Sequence, residues 1–233
     1  DYPGQGSAYV GILDAFMDNK GGMAAEEFDG FCDEIVPLSI MSKYCWSNSE
    51  IFTAEIKLSN YSKEALSKKN LSWTLSKAHS NVNVARGEFP INISQGHLGE
   101  VGKIKVPLQD INTATQLVLT LQTGPHVNKY DIWVYPDKEV SVKSDIKETS
   151  SLKQALDLLQ QGNKVLYIPD HKEVEKLSVG GLFTPDYWNY AMFKNISEWL
   201  KRDVSPGTLS ILTDPSHPLF KEFPTETHSN WQW

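Results

Sequence analysis

Ile51-Phe52-Thr53-Ala54-Glu55-Ile56-Lys57-Leu58 is the stretch whose period settles what kind of chain this is. Successive side chains of an extended backbone point to opposite faces, so Phe52, Ala54, Ile56 and Leu58 share one side. Thr53, Glu55 and Lys57 share the other with Ile51, which is the pattern of a half-buried strand. Leu71, Trp73 and Leu75 repeat it against Ser72, Thr74 and Ser76. Val82 to Phe89, Val101 to Leu108, Thr115 to Gln122 and Tyr130 to Tyr135 are further predicted strands. Gln95-Gly96, the run from Pro107 to Asn112, and Gly124-Pro125 supply turn residues between them. Short strands at this spacing predict an immunoglobulin-like β-sandwich over residues 46–138, with Trp73 on an inner face. Both cysteines, Cys32 and Cys45, precede Trp73, so the disulfide of antibody domains has no counterpart.

Downstream the period changes. Residues 139–151 are charged and polar and mark a domain boundary. Leu152, Ala155, Leu156, Leu158 and Leu159 then trace one face of a helix, with Ser150 as its N-cap and Gly162 past its end. Lys164 to Pro169 reads as a short buried strand ending at Asp170-His171. A second helix is predicted over Tyr187 to Leu200, and a second buried strand over Thr208 to Leu212, ending at Thr213-Asp214. Strands alternating with helices predict a partial open α/β layer over residues 139–233. Upstream, Met23 to Phe31 reads as a helix, and the neighbouring Glu26 and Glu27 point about 100° apart, as on a solvated face. The fold class expected is therefore mixed β and α/β.

With 40% hydrophobic and 22% charged residues, the composition is that of an ordinary globular chain. A formal net charge of -7 argues against nucleic acid or an anionic membrane as the main partner. No apolar run approaches the length of a membrane span. Two cysteines make neither a disulfide framework nor a zinc site. They read as buried small apolar residues, with a single disulfide as the alternative.

The opening residues, Asp1-Tyr2-Pro3-Gly4-Gln5-Gly6-Ser7-Ala8, form a shaped loop, because Pro3 fixes one backbone angle and Gly4 and Gly6 open others. Together with Gly11-Ile12-Leu13-Asp14, Glu27-Phe28, Phe31-Cys32 and Val36-Pro37-Leu38, this loop resembles a group of bacterial family 2 glycoside hydrolases, of the β-galactosidase kind. Leu212 to Phe220 and His228 to Trp233 resemble a later segment of the same proteins. In that group such a string closes the catalytic TIM barrel and leads into a C-terminal sandwich domain. The resemblance implies a post-catalytic fragment in three parts. Residues 1–45 would be the barrel end and connector, 46–138 the sandwich, and 139–233 a partial α/β domain like a glutamine-amidotransferase layer. It further implies a non-catalytic accessory region whose parent hydrolyses terminal β-linked sugars by retention. The implied partner is the catalytic barrel of that parent, with carbohydrate as a second candidate, and the implied location is periplasmic or secreted.

A glycosidase needs two carboxyl groups flanking the scissile bond, and in the resembled family these lie on earlier barrel strands. No catalytic residue, metal ligand or cofactor is assigned here. Barrel active sites sit at the C-terminal ends of the strands, which makes Asp1, Tyr2 and Gln5 candidate sugar-binding residues, against a role in bracing the barrel rim. Tyr187, Trp188 and Trp199 form a candidate carbohydrate platform, since residues 188 and 199 are about three helical turns apart. Packing against a sheet is the competing role for that face. Asp170, His171 and Asp214 fall just past predicted strands, where α/β folds bind ligands, and His217 and His228 add possible metal ligands or bases, against a local structural role for each. The amidotransferase chemistry would need a nucleophile on a strand-to-helix turn, and neither a Gly-x-Ser-x-Gly string nor a cysteine occurs there. Asn60, Asn70, Asn92 and Asn195 each open an Asn-x-Ser string and fit surface positions. A free-standing carbohydrate-binding or protein-interaction module is the rival reading of the whole chain.

Overall fold

The computed structural model describes residues 12–14, 16–80, 82–137, 144–177, 190–204, 211–221 and 223–233, with residues 190 and 191 as backbone alone. The chain is mostly β, with a few short helices, and divides into two compact units. One comprises Asn19–Lys138 with Ser210–Trp233, the other Asp1–Asp18 with Glu139–Leu209.

The first unit holds two sheets. Strands β1 (Ile35–Ile40), β3 (Ile51–Asn60) and β6 (His97–Pro107) make an antiparallel sheet in the order β1-β3-β6. Strands β2 (Cys45–Ser47), β4 (Leu66–Lys77), β5 (Asn83–Ile93), β7 (Thr115–Thr123) and β8 (His126–Tyr135) make the other, in the order β2-β8-β7-β4-β5. The β2–β8 pair is parallel and its other pairs are antiparallel. Phe52, Ala54, Ile56 and Leu58 of β3 are buried, as their period requires. They share one core with Leu71 and Leu75 of β4, Leu117, Leu119 and Leu121 of β7, and Ile132 and Val134 of β8. Each Leu, Ile, Val or Phe among them stabilises the fold by roughly 1.5–3 kcal/mol when fully buried.

Along one border of the core the sheets are linked by polar side chains. Asn128 Nδ2 donates to the Pro37 carbonyl at 2.9 Å, and the Ser39 N–H donates to the Tyr130 hydroxyl at 3.2 Å. Along the other, β5 and β6 approach through missing side chains: Phe89 and Ile93 occupy the space that a Cβ at Gly102 and Gly99 would need. Trp73 lies over Gly87, its cross-strand neighbour, and packs partly buried against the core. The β7–β8 hairpin turns on Gly124, whose φ of 58° suits the first central position of a two-residue loop.

Asn60 departs from expectation. It ends the buried face of β3 and is fully enclosed, donating to the carbonyls of Glu64 and Ile93 and accepting from the amide and hydroxyl of Ser62. Its Asn-x-Ser string is thus a structural knot rather than a surface acceptor, because a buried polar group persists only when satisfied. Asn70, Asn92 and Asn195 are exposed. Cys32 is exposed and Cys45 half-buried, and both are free thiols, so neither the paired nor the fully buried reading holds.

In the second unit, β9 (Lys147–Thr149) runs parallel to β10 (Val165–Tyr167), and helix α2 (Leu152–Gln160) connects them. The residue that caps α2 is Ser151, not Ser150: its hydroxyl accepts from the Gln154 amide. Gly162 takes φ 80° beyond the helix end, as its position predicts. The expected burial is not reached. Ala155 is buried, whereas Leu152, Leu156 and Leu159 are 40%, 51% and 53% exposed, and Leu166 of β10 is 50% exposed. Helices α3 (His171–Val174) and α4 (Tyr190–Trp199) also belong to this unit. Of the strand expected at Thr208 to Leu212, Ile211 and Leu212 are exposed, and Leu212 makes a single antiparallel bridge to His228. They belong to the first unit rather than to an α/β layer.

Candidate functional site

Strand period also builds the face turned away from the core. On β7 and β8 the outward residues are Gln116, Val118 and Thr120, and Lys129, Asp131 and Trp133, since their neighbours point inward. Two adjoining structures wall this face. The short helix α1 (Ala25–Asp29) stands over the start of β8, where Gly30 leaves room for the Val127 carbonyl and the Asn128 side chain. His126 Nδ1 and Asp33 Oδ2 meet there at 2.6 Å, and this contact holds the Asp33 carboxyl below its usual range. Glu27 accepts from the Ala24 amide, so this acid caps a helix rather than working in a pair with Glu26.

The other wall is the C-terminal arm, residues 211–221 and 223–233, lying along β2 and β8. Trp231 stacks on Tyr44 and Phe223 on Tyr135, with ring centroids 5.1 and 5.4 Å apart. Gln232 is buried; its Nε2 donates to the Tyr135 hydroxyl and the Pro224 carbonyl at 2.6 Å each, and its backbone carbonyl accepts from the Cys45 thiol at 3.1 Å. Burial pushes the Cys45 thiol and the Tyr135 phenol above their usual ranges.

Between the arm and the sheet lies a cleft of about 820 Å³, floored by Gln116, Asp131 and Trp133 and edged by His79 and Glu226. A second cleft of about 830 Å³ runs from the shared Lys77–Ser80 turn and Asp131 toward Glu26 and Glu27 of α1. His79 sits in the β4–β5 turn with φ 56°, a conformation that His adopts more readily than branched residues. The Asp131 carboxyl is raised above its usual range. Loss of water to the cleft walls is the main cause and repulsion by Glu226 adds to it, while the Gln116 side chain and His79 pull the other way. The site is thus a groove of hydrogen-bonding groups around a carboxyl that holds its proton more tightly than usual. Among the described residues, no three His, Cys, Asp or Glu side chains gather as metal ligands, and no helix is long and apolar enough to cross a membrane.

Of the site residues singled out by sequence, none lines these clefts among those described. Asp1, Tyr2, Gln5, Tyr187 and Trp188 fall outside the described residues. Trp199 is 81% exposed at the end of α4. Asp170 caps α3, accepting from the Lys172 amide at 2.9 Å. Asp214 accepts from the amide and hydroxyl of Ser216, which hold its carboxyl below the usual range. His217 Nδ1 accepts from the Leu219 amide, and His228 Nε2 lies 4.0 Å from Glu226. Sequence reading missed His79, Gln116, Asp131, Glu226 and Gln232. The one local signal was a charged Asp131 alternating with Tyr130 and Ile132, which marks an outward position but not a cleft.

Two family profiles match. Residues 50–136 match Domain of unknown function (DUF8488), and residues 147–233 match Domain of unknown function (DUF8487), each less than half of the chain. No curated protein sequence matches. Among solved structures, a β-glucosidase from Erythrobacter marinus aligns with 42% of this chain and 14% of its own at TM-score 0.32 and 7% identity. A β-glucosidase from Listeria innocua in complex with glucose aligns with 44% of this chain and 16% of its own at TM-score 0.34 and 13% identity. An alkylpurine DNA glycosylase from Pseudomonas fluorescens reaches the same TM-score of 0.34 over 44% of this chain and 30% of its own, at 10% identity. The chain therefore spans less than a third of each of these proteins. Likeness this weak, and shared across such different proteins, carries no functional argument.

Proposed function

We propose that this chain is a non-catalytic accessory region of a family 2 glycoside hydrolase. In this reading the two sheets are an immunoglobulin-like sandwich, the unit around α2 is part of an amidotransferase-like layer, and residues 1–45 belong to the barrel end and its connector. The parent hydrolyses terminal β-linked sugars, such as β-galactosides, with retention, and is periplasmic or secreted. The residue strings at both ends of the sequence support the family. The observation that carries the accessory role is the apolar surface of α2 and β10. Leu152, Leu156 and Leu159 recur at helical spacing and stay exposed, as do Leu166 of β10 and Ile168 just after it. Apolar side chains left exposed along one face of a helix suit a surface that meets another protein surface, here proposed to be the rest of the parent. Asp170 and Asp214, the acids flagged at strand ends, serve local turns, which agrees with a region that positions domains.

Hydrolysis of a panel of chromogenic β-glycosides, by this chain and by a longer chain that includes it, tests the proposal. The expected result is cleavage by the longer chain and none by this one. Turnover by this chain alone would overturn the accessory role, and a longer chain inert on every glycoside would overturn the family. The rival, a carbohydrate-binding module, is favoured by the exposed indole of Trp199. Protection of its fluorescence by an oligosaccharide would select that reading.

A further inference from the structure

The C-terminal arm carries an indole that its own folding does not need. Trp231 is 72% exposed and yet firmly placed. It is the first central residue of the turn Asn230–Trp233, which the Trp233 N–H closes by donating to the Asn230 carbonyl at 3.2 Å. The Asn230 side chain accepts from the Gln232 amide at 2.9 Å, and Gln232 is itself buried and held from its carbonyl by the Cys45 thiol. None of these contacts uses the side chain of Trp231. Small polar residues and proline are the ones that favour such a turn for local reasons, so the turn does not call for an indole.

What the side chain touches is Tyr44. The two rings stack with centroids 5.1 Å apart and planes 23° from parallel. Tyr44 is half-buried, and its carbonyl accepts from the Trp133 amide of β8, which ties the lower ring to the sheet. One face of Trp231 is thereby taken, and its exposure leaves the opposite face open as a fixed apolar plane. Among the described residues, neither the Trp231 Nε1–H nor the Tyr44 hydroxyl has a hydrogen-bond partner, and neither is buried. Trp233 differs: Phe220 and Phe223 pack on its ring, and its Nε1 donates to Thr225.

We propose that the open face of Trp231 is a binding platform for one ring of a β-linked sugar. A pyranose presents a patch of C–H groups on one face and hydroxyls around its edge. The C–H patch carries partial positive charge toward the negative face of the indole. The hydroxyls, which both donate and accept, can meet the indole N–H as acceptors and the Tyr44 hydroxyl in either sense. The choice of a sugar among flat ligands rests on the glycosidase reading above.

The test is titration of the whole chain with lactose, followed through the indole N–H resonances by NMR, with glycerol supplying hydroxyls without a ring. Lactose is expected to shift the Trp231 signal saturably and to leave that of the buried Trp46 in place. Trp231→Ala should weaken lactose binding, read from the Tyr44 backbone amide, about tenfold, the scale of one lost aromatic stack. An unmoved side-chain amide signal of Gln232 in that variant shows the arm still docked. Tyr44→Phe should weaken binding about threefold, since it keeps the stack and removes one hydrogen bond, and Trp199→Ala should bind like the native chain. An unmoved Trp231 signal, a glycerol response equal to that of lactose, or Trp231→Ala binding like the native chain would each overturn the platform. The two readings fail separately. A longer chain that cleaves β-galactosides while Trp231 ignores lactose overturns the platform alone, and a longer chain inert on every glycoside while lactose still shifts Trp231 overturns the glycosidase reading alone.

Discussion

The carboxyl of Asp131 leaves β8 on the face away from the core, where the cleft walls take water from it and Glu226 opposes its charge. Its pKa in the folded chain lies above the ordinary 3.8. Over the interval between the two values the folded chain keeps a proton that the unfolded chain releases, so stability falls as pH rises through that interval and stays reduced above it. Asp131→Asn should therefore raise the urea midpoint of the ligand-free chain at neutral pH, and the gain should vanish below the ordinary value. Asp33 runs the other way. The hydrogen bond from His126 holds its pKa below 3.8, so the stability it contributes is present above that value and lost as pH falls through the lowered one. Asp33→Asn should cost stability at neutral pH and little in strong acid, and urea titrations of both variants at the two pH values check the opposite signs. At this scale the sequence was a partial guide. The burial of Asn60 was unreadable, because although Ser62 and Glu64 are close in sequence, its enclosure against Ile93, 33 residues away, exists only in the fold.

Among the elements, the strands were the most legible. Ile51 to Leu58, Leu71 to Leu75 and Thr115 to Gln122 announce themselves by period, and each lies within a longer observed strand. Strands β1, β2 and β9 escaped, being short, interrupted by Pro37, or charged, so no alternation accumulates. The glycines of β5 and β6 carry structural meaning that period cannot express. A methyl group at Gly87 would lie 2.8 Å from Trp73 Nε1, and the indole would have to move off the core. Gly87→Ala should cost about 1–3 kcal/mol, the usual penalty of overpacking, and should shift the emission of the displaced tryptophan. Gly22→Ala has open space and an ordinary φ, and is the neutral comparison in the same denaturation measurement.

For the whole molecule, the two units differ in how completely they bury themselves. The unit built on the two sheets encloses a core of fully buried side chains from both. In the other, Ala155 is the one buried apolar residue among those described, and the leucines of α2 remain exposed. Calorimetry should accordingly show two transitions rather than one cooperative loss. The residues around α2 and β10 should exchange their amide hydrogens first, and a single transition with uniform exchange would contradict this division.

The sequence by itself determined the β character of residues 51–135, the helix at 152–160 and the turns that separate them, because these rest on periods and caps within a few residues. Tertiary structure alone decided that the C-terminal arm belongs with the sheets, that Gln232 lies against Cys45 across 187 residues, and that Asp131, Glu226 and His79 share one cleft. Such contacts join positions far apart in the chain and leave no local pattern. They exist only once the core has fixed which faces of the strands point outward, and where.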